Sequence, residues 1–290
     1  MYEKSCVLAG IVTYNPELER LQSNICALLK QVDHIFVIDN GSLQIDDVVI
    51  LVKSYGERVS LKQLNQNMGI AFALREVMQY AKDRGYSWTL CLDQDSIIEA
   101  GLVYSYLNAA NEEQNQDVGM FTCLIKDRNF VDKKYEEQDV DYLTVPYCIT
   151  SASFTNVEKY FQTDGYDKTF FIDAVDFDVC YTLREAGFRV VRVNHVGLYH
   201  EVGHGENRHF LWKKIVVYHQ KPIRIYYYAR NLIWMHKKHP RLYTTRQLLK
   251  TELALFVRIL IYEDHKWQKI KAFFRGVFQN ETAGVFKIFD

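Results

Sequence analysis

Short apolar runs alternate with helix-like segments over the first 125 residues of the chain. The run at residues 7–13 is apolar almost without interruption, as in a strand buried on both faces, and apolar residues then recur at helical spacing over 18–32. Further strand-like runs lie at residues 34–39, 59–64 and 88–92, and a helix is predicted from about residue 70 to residue 84. This alternation predicts an α/β fold with a doubly wound, mostly parallel sheet covered by helices on both faces.

The pattern changes beyond residue 125. Residues 126–141 are charged and are expected to form a loop, after which two strand-like pieces flank a helix. The strand-like pieces and the helix lie at residues 144–153, 188–193 and 176–186. From Phe210 onward the pattern is helical, aromatic and basic. We therefore predict an α/β domain over residues 1–209 and a C-terminal helical extension over residues 210–290.

Polar clusters follow three of the predicted strands, at the ends where open α/β sheets bind ligands. They are residues 13–15 (Thr-Tyr-Asn), 39–42 (Asp-Asn-Gly-Ser) and 93–95 (Asp-Gln-Asp). Asp93 and Asp95, one residue apart at a strand end, offer the hard oxygen ligands that a divalent cation prefers, and such a cation could bridge a diphosphate. An Asp-x-Asp triplet also occurs in ordinary loops, so its place at the strand end carries this prediction.

A second acidic segment, residues 170–178, precedes and enters the predicted helix. Its carboxylates, Asp173, Asp176 and Asp178, stand among apolar residues. One of them could simply favour the helix N-terminus. A carboxylate in an apolar cleft can also have a raised pKa and act as a general base, and we assign that role to Asp176.

Taken in order along the chain, these motifs resemble the inverting family 2 glycosyltransferases, which have the GT-A fold. The resemblance covers roughly residues 5–240 and includes Pro16 and residues 65–69. Residues 171–176 and the YYYARN segment at 226–231 look most like bacterial rhamnosyltransferases that use dTDP-rhamnose. The usual Glu-Asp pair of the family is Val175-Asp176 here, which leaves Asp176 as the aligned base.

The resemblance implies roles for individual residues. Asp39 would contact the base or ribose of the nucleotide, and Asp93 and Asp95 would hold Mg²⁺ or Mn²⁺ on the diphosphate. Asp176 would deprotonate the acceptor hydroxyl in a single displacement that inverts the anomeric carbon. The nucleotide pocket would be lined by Thr13, Tyr14 and Asn15. The backbone could approach the donor closely at Asn67 and Gly69.

Further candidate site residues have less defined roles. His200 occupies the place where relatives have a histidine near the diphosphate or metal. Asp173, Asp178 and His204 are candidates for contacts with the acceptor or the sugar. Arg230 either neutralises a donor or acceptor phosphate or is a surface arginine on an ordinary core helix.

Residues 200–204 (His-Glu-Val-Gly-His) also match the H-E-x-x-H pattern of zinc hydrolases. That pattern requires a helix, so that His200 and His204 share one face. Gly203 and Gly205 disfavour a helix here, and the preceding residues alternate like a strand. A zinc hydrolase is therefore the alternative hypothesis from another class of enzyme. A non-catalytic scaffold protein that keeps the fold is a third hypothesis.

Charge is distributed unevenly along the chain. Residues 211–290 carry 16 Lys and Arg against 5 Asp and Glu, although the net charge of the whole chain is -1. A basic segment rich in aromatic residues is typical of helices at an anionic membrane surface, and the interface of a homodimer would use the same aromatics. The longest apolar stretch, residues 253–261, is too short to span a bilayer.

Cellular location and partners follow from simpler features. Six scattered cysteines without a C-x-x-C pair, and an N-terminus unlike a signal peptide, predict a cytoplasmic protein, at most peripheral at the inner face of the membrane. We expect a nucleotide sugar as donor, dTDP-rhamnose or alternatively a UDP-hexose. The expected acceptor is a saccharide or a polyprenyl-pyrophosphate-linked intermediate of cell-surface polysaccharide synthesis, and no nucleic-acid partner is expected.

Overall fold

The computed structural model describes residues 3–127, 140–200, 206–210, 213–217 and 219–278. The chain divides into two units. The first comprises Met1–Lys168 and Asp176–Glu201, and the second comprises Thr169–Val175 and Val202–Asp290. The sequence-based boundary at 209/210 differs from this division, which also assigns the segment 169–175 to the second unit.

The first unit is built on a mixed sheet with parallel pairing along its long strands. The strands are β1 (Val7–Thr13), β2 (His34–Asp39), β3 (Val59–Gln63), β4 (Trp88–Asp93), β5 (Ile97–Ile98), β6 (Val118–Asp127), β7 (Tyr142–Thr144), β8 (Ser153–Asn156) and β9 (Arg189–His200). Their order is β3-β2-β1-β4-β8-β6-β9-β5, with β7 beside β9. The strands β1 to β4 pair in parallel, and β8 runs antiparallel between β4 and β6. The predicted GT-A arrangement of the sheet is confirmed.

Helices cover both faces of this sheet. They are α1 (Leu18–Leu28), α2 (Ile45–Lys53), α3 (Ile70–Asp83), α4 (Leu102–Asn111), α5 (Val157–Tyr160) and α6 (Val175–Glu185). Alternate residues of β1 such as Val7 and Ile11 belong to the same buried cluster as Leu21 and Ile25 of α1. On the other face, a Cβ at Gly10 would lie 2.3 Å from Cγ1 of Val77 in α3, so this helix packs directly on the strand. Both faces of β1 are buried, which explains its uninterrupted apolar run.

Two sequence-based assignments are wrong in detail. The strand-like piece at 144–153 is two strands, β7 and β8, joined by a loop whose residues serve the site described below. The helical pattern predicted from Phe210 onward begins only at residue 222. Before it, β10 (Glu206–Phe210) and β11 (Lys213–Val217) form an antiparallel hairpin, to which the β-branched Ile215, Val216 and Val217 are well suited. The predicted loop at 126–141 lies mostly outside the described residues.

The second unit continues with α7 (Pro222–Lys238), α8 (Thr245–Tyr262) and α9 (Lys266–Phe278). Its apolar core joins Ile225 and Ala229 of α7 to Ile259 of α8 and Phe273 of α9. A Cβ at Gly276 would lie 2.5 Å from the carbonyl oxygen of Tyr226, so α9 and α7 approach closely at this point. Among the helices of the described residues, none has both the length and the apolar character that crossing a bilayer requires.

Candidate active site

The carboxyl ends of β1, β2 and β4 meet at one edge of the sheet. In the parallel pairing Thr13 lies opposite Asp39, and Val12 lies opposite Asp93. The three polar clusters that follow these strands are therefore brought together, because parallel neighbours end at the same edge.

Asp39 is buried beneath this edge, with 1% of its surface exposed. Its Oδ1 accepts hydrogen bonds from the backbone N–H groups of Gly41 (3.1 Å) and Ser42 (2.8 Å). Its Oδ2 accepts from Oγ1 of Thr13 at 3.0 Å and from the Ser42 hydroxyl. Both oxygens bind the chain's own donors, and Thr13 is itself fully buried. This geometry does not support the expected contacts of Thr13 and Asp39 with the nucleotide, and these two residues instead shape the turn at 39–42.

The next two residues reach the surface. The backbone N–H of Tyr14 donates to Oε1 of Gln94 (2.8 Å), and that of Asn15 donates to Oγ of Ser42 (2.7 Å). Asn15 has a left-handed backbone (φ 47°), and its Oδ1 accepts from the N–H of Leu43 at 2.8 Å. This segment ties the turn after β2 to the tip of β4 and leaves the ring of Tyr14 exposed at the edge of the site.

The segment before α3 packs against the same turn. Nδ2 of Asn40 donates to Oδ1 of Asn67 (3.0 Å), which also accepts from the N–H of Gly69 (2.9 Å). Gly41 and Gly69 both have left-handed backbones, with φ near 87° and 88°. A Cβ at Gly41 would lie 2.5 Å from the carbonyl carbon of Gln66, so glycine is needed for the two loops to meet. Asn67 and Gly69 thus help to build the loop beside the strand ends.

Asp93 and Asp95 lie at the tip of β4. Asp93 is half-buried, and its Oδ2 accepts a hydrogen bond from Oγ of Ser151 at 2.7 Å. The backbone N–H of Asp93 donates to the same Ser151 Oγ at 3.0 Å. The carbonyl oxygen of Asp93 accepts from Nδ2 of Asn24 (2.9 Å) and from the N–H of Ser96 (3.3 Å). Asp95 sits on the turn closed by this last bond, with an exposed side chain.

This pair fits a divalent cation. Two carboxylates, one oriented by Ser151 and one exposed, supply hard oxygen ligands on one short turn. Mg²⁺ and Mn²⁺ prefer such ligands, and protein sites for Mg²⁺ commonly use one or two carboxylates together with the phosphates of the substrate. The residues present therefore match the group that the sequence predicts here.

Asp176 belongs to the same unit as the tip of β4. It stands in the first turn of α6, half-buried. A hydrogen bond with Cys180 and burial raise the pKa of the Cys148 thiol well above its usual value, and the nearby charge of Asp176 adds to this effect. Cys148 and Ser151 are three residues apart, which limits their separation to about 11 Å. The same loop thus contains Cys148, whose pKa is affected by the charge of Asp176, and Ser151, which binds Asp93.

Asp178 does not share this exposure. It is buried, with 1% of its surface exposed, although it lies in the same first turn of α6, two residues after Asp176. Burial, with a smaller contribution from the charge of Asp178, raises the pKa of Tyr160 to about 12. The expected contact of Asp178 with an acceptor or sugar is not supported, because its carboxylate lies in the interior of the first unit.

The backbone of His200 lies beside the Asp93–Ser96 turn. Ile97 of β5 pairs antiparallel with Tyr199 of β9, so the next residues outward are Ser96 and His200. His200 is thus one residue from the level of Asp95, where the sequence predicts a histidine near the metal. It ends a strand instead of lying on a helix, which contradicts the helical geometry of the zinc alternative. His204 lies outside the described residues.

Asp173 and Arg230 belong to the second unit. Asp173 accepts hydrogen bonds from the guanidinium of Arg224, including one from Nε at 3.2 Å. Arg230 is 1% exposed, and its guanidinium donates to the carbonyl of Thr169 (2.5 Å) and to Oδ1 of Asn231 (2.8 and 3.0 Å). This burial does not support a phosphate contact, and it also differs from the alternative prediction, which placed Arg230 on the surface of a core helix.

Several residues of the site were not predicted from the sequence. Ser151 orients Asp93 from 58 positions away, and Asn24 binds the same residue from α1. Gln94, which accepts a hydrogen bond from the N–H of Tyr14, could have been predicted as a site residue, because it is polar and stands between the two candidate metal ligands Asp93 and Asp95. No local pattern marked Ser151 or Asn24, because a single Ser or Asn is common in any loop or helix.

Comparison with solved structures places the fold among glycosyltransferases. One similar structure, that of GalNAc-T7 with UDP, GalNAc and Mn²⁺, is 12% identical with a TM-score of 0.62, and the match covers 94% of this chain and 56% of that one. The mannosyltransferase PcManGT from Pyrobaculum calidifontis, with GDP-Man and Mn²⁺, is 15% identical with a TM-score of 0.62, covering 96% and 89%. S. aureus TarS 1-349 with UDP-GlcNAc is 13% identical, with a TM-score of 0.62 over 93% and 81%. At these identities the likeness establishes the GT-A fold.

Sequence comparison defines the family. The model of glycosyl transferase family 2 matches residues 9–181, and the chain belongs to that family and is a glycosyltransferase. The dTDP-rhamnosyl transferase RfbF of Shigella flexneri is 26% identical over 259 residues, covering 84% of this chain and 85% of that protein.

Proposed function

We propose that the enzyme transfers rhamnose from dTDP-rhamnose, with inversion, to a hydroxyl of a saccharide or lipid-linked acceptor in cell-surface polysaccharide synthesis. One observation carries this proposal: within one unit, Ser151 binds the Asp93 carboxylate, and the charge of Asp176 acts on Cys148, three residues before Ser151 in the same loop. Similarity to a dTDP-rhamnosyl transferase supports the choice of donor.

The donor would bind across the strand ends. The exposed ring of Tyr14 and the backbone around Asn15 and Gly69 form the surface on which the nucleotide would lie. Asp93 and Asp95 would hold Mg²⁺ or Mn²⁺, which when bound offsets the negative charge that develops on the departing diphosphate. Ser151 keeps the Asp93 carboxylate in place for that purpose.

Asp176 would act as the general base. As the acceptor oxygen bonds to the anomeric carbon, the bond from that carbon to the diphosphate oxygen breaks and its electron pair leaves with dTDP. The proton of the acceptor hydroxyl passes to the Asp176 carboxylate. Because the attack comes from the face opposite the leaving group, the single displacement inverts the anomeric centre.

The acceptor and the place of action are part of the same proposal. A polyprenyl-pyrophosphate-linked saccharide would present its hydroxyl at the inner face of the cell membrane, where a cytoplasmic enzyme could meet it. A UDP-hexose is the alternative donor, because the described residues do not distinguish one nucleotide sugar from another.

Donor choice can be measured by thermal unfolding. With Mn²⁺ present, dTDP at about 100 times its Kd should raise Tm by about 5 °C or more, since binding adds ~2.7 kcal/mol to stability. UDP and GDP at the same concentration should give smaller shifts, and only dTDP-rhamnose should be hydrolysed or transferred. A larger shift with UDP would favour the hexose donor. No shift with any nucleotide would contradict the site itself.

A further inference from the structure

The outer sides of α8 and α9 carry large exposed apolar side chains. On α8, Leu249, Leu253 and Leu260 follow one another at helical spacing, and the residues on the opposite side of the helix are buried. On α9, Trp267 is 84% exposed and Phe278 is 73% exposed. We call this surface the α8–α9 outer face, and its exposed apolar residues are Leu249, Leu253, Leu260, Ile261, Trp267, Phe274 and Phe278.

The two helices form one continuous surface. The ring of Phe256 on α8 packs against Phe273 and Phe274 on α9, with ring centroids 5.2 and 5.6 Å apart. Phe274 in turn stacks on Phe278 at 6.0 Å. An exposed patch of this kind, continuous across two helices, marks an interaction surface and not a scatter of single apolar residues.

The charged residues around this face are nearly all cationic. Its exposed or half-exposed cations are Arg246, Lys250, Lys266, Lys271 and Arg275. Among the acids of α8, α9 and the turn between them, Asp264 and the buried Glu263 both accept hydrogen bonds from Nζ of Lys269. The remaining acid, Glu252, is half-buried, and burial raises its pKa to about 8, so that it is mostly uncharged at pH 7.

This charge pattern decides between a second copy of the chain and a membrane. In a two-fold symmetric dimer the face would meet itself, and cations would stand against cations. An anionic bilayer offers acyl chains to the aromatic residues and phosphates to the lysines and arginines. We propose that the α8–α9 outer face docks the enzyme on an anionic phospholipid membrane. This proposal does not depend on which sugar is transferred.

Vesicle co-sedimentation tests the proposal. The full chain should bind vesicles of phosphatidylglycerol and phosphatidylcholine (1:3) and bind pure phosphatidylcholine far more weakly. Lys266→Glu with Lys271→Glu should reduce binding about 30-fold or more, since each cation near the surface is worth about 1 kcal/mol. Trp267→Ser with Phe278→Ser should reduce binding at least as much, because the apolar contact is lost and both side chains are largely exposed.

The matched control is Lys30→Glu with Lys53→Glu, which makes the same charge change at exposed positions of the first unit. The control should bind the anionic vesicles almost as the natural chain does, and all variants should unfold at similar temperatures. Equal losses in control and test variants would overturn the proposal. The proposal would also be overturned if the natural chain did not bind the vesicles but sedimented as a dimer, and if Trp267→Ser dissociated that dimer.

Discussion

Asp176→Asn should lower kcat for sugar transfer by about 100- to 10,000-fold, the usual contribution of a general base. The amide keeps the shape of the carboxylate but cannot accept the proton of the acceptor hydroxyl. Donor binding depends on the strand ends and not on this group, so the Tm shift with dTDP and Mn²⁺ should be retained. Initial rates with a saturating donor, together with thermal unfolding, measure both quantities.

Glu185→Gln is the matched control, because it removes one carboxylate from the opposite end of the same helix, where the side chain is exposed. Its kcat should equal that of the natural enzyme. An Asp176→Asn enzyme that transfers sugar at the natural rate would exclude Asp176 as the base. If the natural chain bound dTDP but never transferred sugar, the hypothesis of a non-catalytic binding protein would be favoured.

Asp95→Ala should abolish metal-dependent transfer, with a loss of about 1,000-fold or more, because several kcal/mol of charge stabilisation on the diphosphate disappear with the cation. Asp95 is the more informative of the two ligands to change. Asp93 also binds Ser151, so its removal would release the loop 148–151 as well. The binding of Mn²⁺ in the presence of dTDP, followed by electron paramagnetic resonance, provides a readout separate from activity.

Asp46→Ala provides the comparison, since Asp46 is an exposed carboxylate at the start of α2. This variant should bind Mn²⁺ and transfer sugar as the natural enzyme does. Chelation with EDTA should abolish the transfer activity of the natural enzyme, and added Mn²⁺ or Mg²⁺ should restore that activity. Full activity in Asp95→Ala, or an enzyme indifferent to EDTA, would remove the metal from the proposal.

Local patterns were sufficient for the framework of the first unit. The unbroken apolar run at residues 7–13 predicted a strand buried on both faces, and β1 is such a strand. The polar clusters at 13–15, 39–42 and 93–95 were expected at one edge, and the parallel register brings them there. The reason is that burial and strand ends leave a signature in neighbouring residues, which a single sequence displays.

The roles of individual polar side chains were harder to predict, because they depend on partners distant in the sequence. Asp39 and Thr13 looked like nucleotide contacts, yet the structure turns them toward each other beneath the site. Arg230 could have lain on a helix surface, and only the packing of α7 shows that it is buried and bound to Thr169. The hairpin at 206–217 was likewise missed, since strand pairing depends on context more than on local preference.

The sequence by itself determined the class of fold, and it predicted the sheet edge and the acidic residues of the proposed site, because each is encoded in short-range periodicity or in a motif. Only the tertiary structure decided which groups orient those acids. Ser151 reaches Asp93 from 58 residues away, and Asn24 reaches it from 69 residues away. Such contacts form when distant elements pack together, and no pattern in neighbouring residues records them.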